Sequence, residues 1–157
     1  MRNKVLNIVI AGLGGQGVLK ASDIVAEVAF TAGLDVKKSE IHGMSQRGGS
    51  VSSDVRFGPK VFSPMVPDGQ ADFLVVLDST QVDVNRAVLK PGGVLLEPGV
   101  LAGKKLKSEK CINVALLGAL SCHLEFPESA WIAAIANHLA LKLHTVNFEA
   151  FAAGRLR

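Results

Sequence analysis

Aromatic residues and cysteines are scarce in this chain of 157 residues. Aromatics make up 5% of the sequence, tyrosine is absent, and the two cysteines are Cys111 and Cys122. An iron–sulfur cluster takes four ligands, which two cysteines cannot supply. No C-x-x-C or H-x-x-x-H spacing indicates a metal site. We therefore expect that this chain alone holds no metal and no cluster.

Long hydrophobic runs and dense basic stretches are also lacking. No run reaches the roughly 18 apolar residues of a membrane span, and the first apolar run ends in glycines rather than a signal-peptide cleavage site. The net charge is only +3. The one basic cluster, from Lys104 to Lys110, is interrupted by Glu109 and predicts a solvated loop. These features predict a cytoplasmic protein that binds neither membrane nor nucleic acid.

Hydrophobic residues make up 48% of the chain and follow the pattern of an α/β protein. We predict one doubly wound, Rossmann-like domain over residues 1–157, with a mostly parallel sheet, a hairpin after the second strand and C-terminal helices. The predicted strands are Val5 to Ala11, LDVKKSEIHG, VSSDVRFG, KVFSP, ADFLVVLD and GVLLEPG. The predicted helices are Gln16 to Thr31, Thr80 to Leu89 (ended by KPGG), INVALLGALSCHLE, PESAWIAAIANHLALKL and VNFEAFAAGRLR, with Gly33 and Gly154 as helix stops.

A glycine-rich turn follows the first predicted strand. Gly12, Gly14 and Gly17 form the G-x-G-x-x-G spacing that places a pyrophosphate at a helix N-terminus in dinucleotide-binding folds. Glu40, 23 positions after Gly17, suits the acidic residue that holds the ribose hydroxyls. Two interpretations stay open: an autonomous NAD(P)-binding oxidoreductase, or a tight strand–helix turn that the fold itself needs.

A second polar loop, SEIHGMSQRGGS (Ser39 to Ser50), follows the second predicted strand. Arg47 beside Gly48 and Gly49 suits a carboxylate or phosphate, because a guanidinium lies next to unhindered backbone amides. His42 suits a proton relay, a hydrogen bond or an interface contact. Ser45 does not fit the hydrolase elbow. Three further histidines are interpreted as packed or surface residues: His123, His138 and His144.

Together these segments resemble a known family. GLGGQG, HGMSQRGG, VFSPMVPDGQADFLVVLD, NVALLGAL and NFEAFAAGR resemble the gamma-type domain of 2-oxoacid:ferredoxin oxidoreductases, in order and over nearly the whole chain. The HGMSQRGG loop most resembles that of the small (beta) subunit of indolepyruvate:ferredoxin oxidoreductase. Gamma subunits of the pyruvate and 2-oxoglutarate enzymes, which remain alternatives, tend to carry an FGPExRGG-like loop. The segment from Gly99 to Lys110 is short for the family.

The resemblance implies an accessory subunit without a complete active site of its own. Its larger partner would hold thiamine diphosphate, Mg and iron–sulfur clusters, and the complex would convert a 2-oxoacid and CoA to acyl-CoA, CO2 and reduced ferredoxin. No catalytic residue is assigned to this chain, and a homodimer is left open. Ten residues are carried over as a surface for CoA or the partner: Gly12, Gly14, Gly15, Gln16, Gly17, Ser45, Gln46, Arg47, Gly48 and Gly49.

Overall fold

A five-stranded sheet organises the chain in the computed structural model, which describes residues 3–42 and 49–156. The strands are β1 (Leu6–Leu13), β2 (Asp35–His42), β3 (Ser50–Gly58), β4 (Ala71–Val76) and β5 (Leu89–Leu96). The helices are α1 (Val18–Thr31), α2 (Val82–Asn85), α3 (Ile112–Ser121), α4 (Glu128–His138) and α5 (His144–Arg155). The predicted α/β class and the C-terminal helices are confirmed.

The order of the strands is β2-β3-β1-β4-β5. β1 pairs in parallel with β4, and β4 with β5, whereas β3 is antiparallel to both of its neighbours, β1 and β2. Four of the five strands therefore run in one direction, as a mostly parallel sheet requires. β3 separates β2 from β1, so the first β-α-β segment joins two strands that are not adjacent.

Most of the core lies between the sheet and one layer of helices. α1, α3, α4 and α5 cover the face that carries Ile8, Ile10, Val55 and Phe57, all at most 1% exposed. Trp131 of α4 is fully buried at the centre of this layer, with Phe126 and Phe151 as ring neighbours. These apolar faces explain why the C-terminal third folds as helices on the sheet rather than as a separate unit.

α3 and α5 cross with their backbones in contact. A Cβ atom at Gly118 would overlap the carbonyl oxygen of Phe151, and one at Gly154 would overlap the carbonyl oxygen of Ala115. Gly154 was predicted to stop the last helix; it lies inside α5 instead, where the close crossing requires it. Its role is therefore packing rather than termination.

The basic cluster predicted as a solvated loop is attached to α5. Lys104 Nζ donates hydrogen bonds to the carbonyl oxygens of Gly154 (3.3 Å) and Leu156, where the helix leaves its last carbonyls without partners. Lys107 pairs with Glu149 at 2.9 Å. Two lysines of the basic cluster, Lys104 and Lys107, therefore contact α5.

Two other segments differ from expectation. KVFSP (60–64) is an irregular loop, and the hairpin is formed by β2 and β3 instead. The helix predicted from Thr80 to Leu89 is limited to α2 and its flanking 3₁₀ turns, because β5 already begins at Leu89. KPGG lies inside β5, which accommodates a proline because it is an outer strand with a break in register.

The second face of the sheet is covered by α2 and by the loop of residues 59–70. Val66 of this loop packs on Val9, Leu74 and Val76 of the two central strands. Its backbone N–H donates to Asp54 Oδ2 of β3 at 2.8 Å, and Asp54 is only 6% exposed. A buried carboxylate thus fixes the loop to the sheet.

Replacing Asp54 with asparagine is expected to change how stability depends on pH. Burial raises the pKa of Asp54 above its ordinary value of 3.8, although the Val66 N–H and the Arg56 guanidinium oppose the shift. A raised native pKa means that the folded state binds the proton more readily than the unfolded state does, so acidification through that pKa stabilises the wild type. The wild type should therefore gain stability relative to Asp54→Asn as the pH falls from 7 towards 3.8, in urea unfolding at each pH.

The side-chain oxygen of asparagine can still accept the Val66 N–H. The prediction therefore concerns how the difference in unfolding free energy between the two proteins changes with pH, and not its size at any one pH. Asp83→Asn, at a side chain that is 94% exposed, is the control and should show no comparable trend. A difference between wild type and Asp54→Asn that shrinks on acidification would contradict the raised pKa.

No helix of the described residues is long and apolar enough to cross a membrane.

Candidate functional site

The glycine-rich turn connects the end of β1 to the start of α1. A Cβ atom at Gly12 would lie 3.0–3.1 Å from Gln16 Oε1, Leu77 Cβ and Val18 Cγ2, so this glycine permits close packing. Gly17 caps α1 with φ +85°, and a Cβ there would overlap the Asn113 amide. Both glycines are thus required by the turn itself, whether or not it binds a ligand.

Gln16 ties this turn to the neighbouring strand. Its Oε1 accepts a hydrogen bond from the Leu13 N–H at 2.7 Å, and its Nε2 donates to Asp78 Oδ2 at 2.8 Å. Asp78 directly follows β4 and Leu77. Because both ends of the amide are engaged inside the protein, the Gln16 side chain acts as a connector between the ends of β1 and β4.

Asp78 is a site residue that the sequence did not single out. Its Oδ1 accepts from the Thr80 N–H (3.0 Å) and hydroxyl (2.6 Å). These bonds, with the one from Gln16, hold the pKa of Asp78 below its ordinary value, so the carboxylate is charged at neutral pH. An acidic residue that follows a buried strand and precedes Ser-Thr is the signal that could have identified it.

A cleft of about 570 Å³ opens beside these residues. It lies at the carboxyl ends of β1 and β4, where the chain connections diverge to opposite sides of the sheet, which is the usual ligand position in open α/β folds. Its lining combines the glycine turn, the end of β4 and the start of α3: Gly15, Gln16, Gly17, Leu77, Asp78, Ser79, Pro98, Glu109, Lys110, Ile112 and Asn113.

The cleft carries charge of both signs. The N-termini of α1 and α3 both lie in its wall, and helix N-termini favour a negative group. Lys110 adds a cation, whereas Asp78 and Glu109 add two carboxylates. The charged side chains of the lining sum to −1, so only Lys110 and the two helix N-termini favour an anionic group, and the two carboxylates would repel several phosphates in one place.

The stems of the second loop lie next to the glycine turn. The Gly14 N–H donates to the Gly49 carbonyl oxygen at 2.9 Å, and Ser50 Oγ donates to Gln81 Oε1 at 2.6 Å. Val51 of β3 is paired with His42 of β2 on one side and with Gly12 of β1 on the other. Four predicted binding residues lie outside the described part of the chain, Ser45, Gln46, Arg47 and Gly48, and only the backbone of His42 is described.

The acidic residue of the dinucleotide interpretation lies away from the turn. Glu40 is on β2, two strands from β1, because β3 is inserted between them. Its carboxylate pairs with Lys38 Nζ at 3.0 Å, and Lys38 also pairs with Asp23 of α1. This position differs from the dinucleotide fold, in which the strand that carries the acid is the direct neighbour of β1.

The remaining titratable candidates have packing partners. His138 Nε2 lies 3.1 Å from Glu27 Oε1, and His144 Nε2 lies 2.8 Å from the Leu139 carbonyl oxygen. The ring of His123 packs at 5.6 Å on that of Phe73. Within the described ranges, no three His, Cys, Asp or Glu side chains form a group that could hold a metal ion.

The sequence of this chain is similar to those of known proteins. Residues 7–97 match the family model described as pyruvate ferredoxin/flavodoxin oxidoreductase. Indolepyruvate oxidoreductase subunit IorB of Methanothermobacter thermautotrophicus is 30% identical over 187 alignment positions, covering 94% of this chain and 95% of that protein. IorB of Thermococcus kodakarensis is 48% identical over 94 residues, 59% of this chain. The chain matches only 46% of the length of that relative.

The fold has a solved counterpart as well. The crystal structure of the gamma subunit of a keto/oxoacid ferredoxin oxidoreductase from Geobacter sulfurreducens superposes with a TM-score of 0.78 at 25% identity, covering 96% of this chain and 94% of that one. The family model spans more than half of the sequence, and the similarity extends over both the glycine turn and the sheet. The chain therefore belongs to the pyruvate ferredoxin/flavodoxin oxidoreductase family, with similarity to its IorB and gamma subunits.

Proposed function

We propose that this chain is an accessory subunit of a thiamine diphosphate-dependent 2-oxoacid:ferredoxin oxidoreductase. The observation that carries the proposal is the cleft at the ends of β1 and β4, whose walls are backbone turns and internally bonded polar side chains. The Thr80 hydroxyl contacts the Asp78 carboxylate at 2.6 Å, but this carboxylate also accepts the Thr80 N–H and the Gln16 amide, so the contact closes a local turn. Such a cleft binds and positions a group, while the bond-breaking chemistry comes from another chain.

The larger partner subunit would supply thiamine diphosphate with Mg for decarboxylation and iron–sulfur clusters for electron transfer. This chain does not have the ligands for a cluster. Cys111 precedes α3 and Cys122 follows it, which separates them by about 16 Å at 1.5 Å per helical residue. The complex would convert a 2-oxoacid and CoA to acyl-CoA and CO2, with ferredoxin accepting the electrons.

The proposed substrate is indolepyruvate or another aryl pyruvate. The proposed location of the complex is the cytoplasm. Similarity to two proteins named IorB supports this substrate. The alternative is a gamma subunit of a pyruvate- or 2-oxoglutarate-type enzyme, which similarity to the Geobacter gamma subunit keeps open. Substrate choice is expected to depend on the partner that carries thiamine diphosphate.

The role proposed for the cleft side of the chain is to face an anion, either a phosphate of CoA or a carboxylate of the partner. Arg47 and the amides of Gly48 and Gly49 would provide the donors, together with the turn from Gly12 to Gly17, and with Ser45 and Gln46. The contact between Gly14 and Gly49 supports a shared surface of the two loops. Lys110 and the N-termini of α1 and α3 in the wall of the cleft support a single anionic group there.

The test is to purify the chain with its co-expressed partner and assay ferredoxin reduction with CoA and indolepyruvate, phenylpyruvate, pyruvate or 2-oxoglutarate. We expect the aryl pyruvates to be preferred. Arg47→Ala should raise the KM for CoA or weaken subunit association, and Arg47→Lys should retain part of both. If Arg47→Ala changes neither, the anion role is wrong; a preference for pyruvate or 2-oxoglutarate selects the alternative.

The autonomous NAD(P)-binding oxidoreductase is tested on the chain alone. Titration with NADH, followed by nicotinamide fluorescence, should give no saturable binding, because the carboxylate of Glu40 is paired with Lys38 two strands from the turn. Saturable binding at micromolar NADH would overturn the accessory-subunit proposal in favour of this alternative.

A further inference from the structure

Hydrogen bonds connect the ends of three strands beside the cleft. Leu13, the last residue of β1, is the register partner of Ser50, the first residue of β3. The Leu13 N–H donates to Gln16 Oε1 at 2.7 Å, and Gln16 Nε2 donates to Asp78 Oδ2 at 2.8 Å. From the other strand, Ser50 Oγ donates to Gln81 Oε1 at 2.6 Å. Both paths therefore start at the β1–β3 pair and lead to the segment that follows β4.

Thr80 joins these two paths. Its hydroxyl donates to Asp78 Oδ1 at 2.6 Å and accepts from Gln81 Nε2 at 3.5 Å. The result is a closed polar ring, whose members are Leu13, Gln16, Ser50, Asp78, Thr80 and Gln81. Because β3, β1 and β4 are neighbours in the sheet, the polar ring lies across the carboxyl end of β1.

The order of donors and acceptors in the polar ring fixes the orientation of the Gln81 amide. Its Oε1 accepts from Ser50, which leaves Nε2 to donate to Thr80. Gln81 is only 8% exposed, so water competes little for its amide. Hydrogen bonds that form a connected and fully satisfied network hold their side chains in one arrangement. The polar ring is thus a defined connection between the three strand ends.

The polar ring is attached to both of the loops for which an anion-facing role is proposed. Gln16 belongs to the glycine turn, and Ser50 directly follows Gly49 of the second loop. The Gly49 carbonyl oxygen accepts from the Gly14 N–H at 2.9 Å. Two consecutive residues of the second loop's stem are therefore held by two different elements, the glycine turn and the 3₁₀ turn after β4.

Glycine-rich loops need such an attachment if they are to bind through their backbone. Glycine has more backbone freedom than any other residue, so ordering a glycine backbone when a ligand binds lowers the affinity. An attachment that already exists in the free protein removes part of this entropic cost. Ser50 and Gln81 supply it at the residue next to the contact between Gly14 and Gly49.

We propose that Ser50 and Gln81 are positioning residues, which hold the stem of the second loop against the glycine turn before the anion arrives. The inference rests on the proposed function for the identity of the anion and of the partner. Neither side chain is among the described residues that line the cleft, so both act on binding through the two loops.

Hydrogen exchange of the Gly14 amide, measured by NMR on the full chain, tests the positioning. Ser50→Ala and Gln81→Leu should each speed this exchange about fivefold, as expected for the loss of one hydrogen bond, because Gly49 loses its fixed neighbour. Ser50→Thr keeps the hydroxyl at an exposed residue and should retain the wild-type rate. Ser52→Ala removes a hydroxyl two residues further along β3, outside the polar ring, and is the matched control.

The complex with the co-expressed partner tests the consequence for binding. Ser50→Ala and Gln81→Leu should raise the quantity that Arg47→Ala raises, either the KM for CoA or the Kd for the partner, by about fivefold. The kcat should not change, because neither residue lines the cleft. Ser50→Thr should restore the wild-type value. A purely structural role would lower Tm without this selective change, so Tm is measured for each variant.

Wild-type exchange of the Gly14 amide in both Ser50→Ala and Gln81→Leu would overturn the positioning role. Faster exchange with wild-type KM and Kd values would overturn it too, since the polar ring would then support the fold alone. Failure of the proposed function is a different result, in which the wild-type complex reduces no ferredoxin with any of the 2-oxoacids. The exchange of the Gly14 amide needs no partner and decides the positioning in that case as well.

Discussion

Gly154→Ala is expected to lower the free energy of unfolding by about 2–3 kcal/mol, which corresponds to a fall in Tm of roughly 4–12 °C for a chain of this size. The added methyl group would overlap the Ala115 carbonyl oxygen, and a rigid backbone on both sides leaves the crossing of α3 and α5 no side chain that could move away. Thermal and urea unfolding followed by circular dichroism would measure the loss.

The sign of this prediction opposes helix propensity, which alone would favour alanine over glycine by about 1 kcal/mol. Gly118→Ala, on the facing helix, should show a loss of similar size, because its methyl group would meet the Phe151 carbonyl oxygen. Ala152→Ser adds one heavy atom on the exposed side of the same helix and should change stability by less than about 0.5 kcal/mol. A Gly154→Ala protein as stable as the wild type would contradict the close crossing.

Gly17→Ala is expected to be destabilising by about 3 kcal/mol, from two separate causes. A left-handed φ costs an alanine about 1–2 kcal/mol, and the methyl group would also overlap the Asn113 amide, which donates to the Gly17 carbonyl oxygen at 3.3 Å. Gly15→Ala is a matched control: its φ is +89°, but nothing lies within 4 Å of its Cβ. The difference between the two variants measures the contact with Asn113.

A double-mutant cycle separates the causes. Asn113→Ala removes the overlapping group, so Gly17→Ala should cost less in that background, with a coupling of about 1 kcal/mol or more. Equal losses for Gly15→Ala and Gly17→Ala, with no coupling to Asn113, would mean that backbone strain alone explains the need for glycine at position 17. Urea unfolding of the wild type, the three single variants and the Gly17→Ala/Asn113→Ala double variant supplies the comparison.

Local patterns predicted the parts of the fold whose neighbours are close in sequence. β1, the glycine turn and α1 were identified because an apolar strand, three glycines and a helical stripe follow one another. The position of β3 could not be predicted in this way. Its pairing with β1 depends on contacts between residues that lie tens of positions apart, and a strand's own sequence does not state its neighbours.

Glycines and prolines were the least reliable signals. Gly154 was interpreted as a helix stop and is a helix contact, and Pro91 was interpreted as a helix terminator and lies in an outer strand. The same residue type serves a turn, a close approach or a bulge, and only the surroundings distinguish these uses. Asp78 was missed for a similar reason, since its partner Gln16 lies 62 positions away.

The hairpin of β2 and β3 has a consequence for how the second loop can vary. Adjacent antiparallel strands are about 5 Å apart, and a two-residue turn suffices to join them. This chain uses the seven residues 43–49 between His42 and Ser50. The parallel connection from β1 through α1 to β2 must carry the chain back along the length of the strands. The connection from β2 to β3 only joins two neighbouring strand ends. Residues can therefore be exchanged, added or removed there without shifting the strand register, which leaves the loop free to diverge in what it recognises.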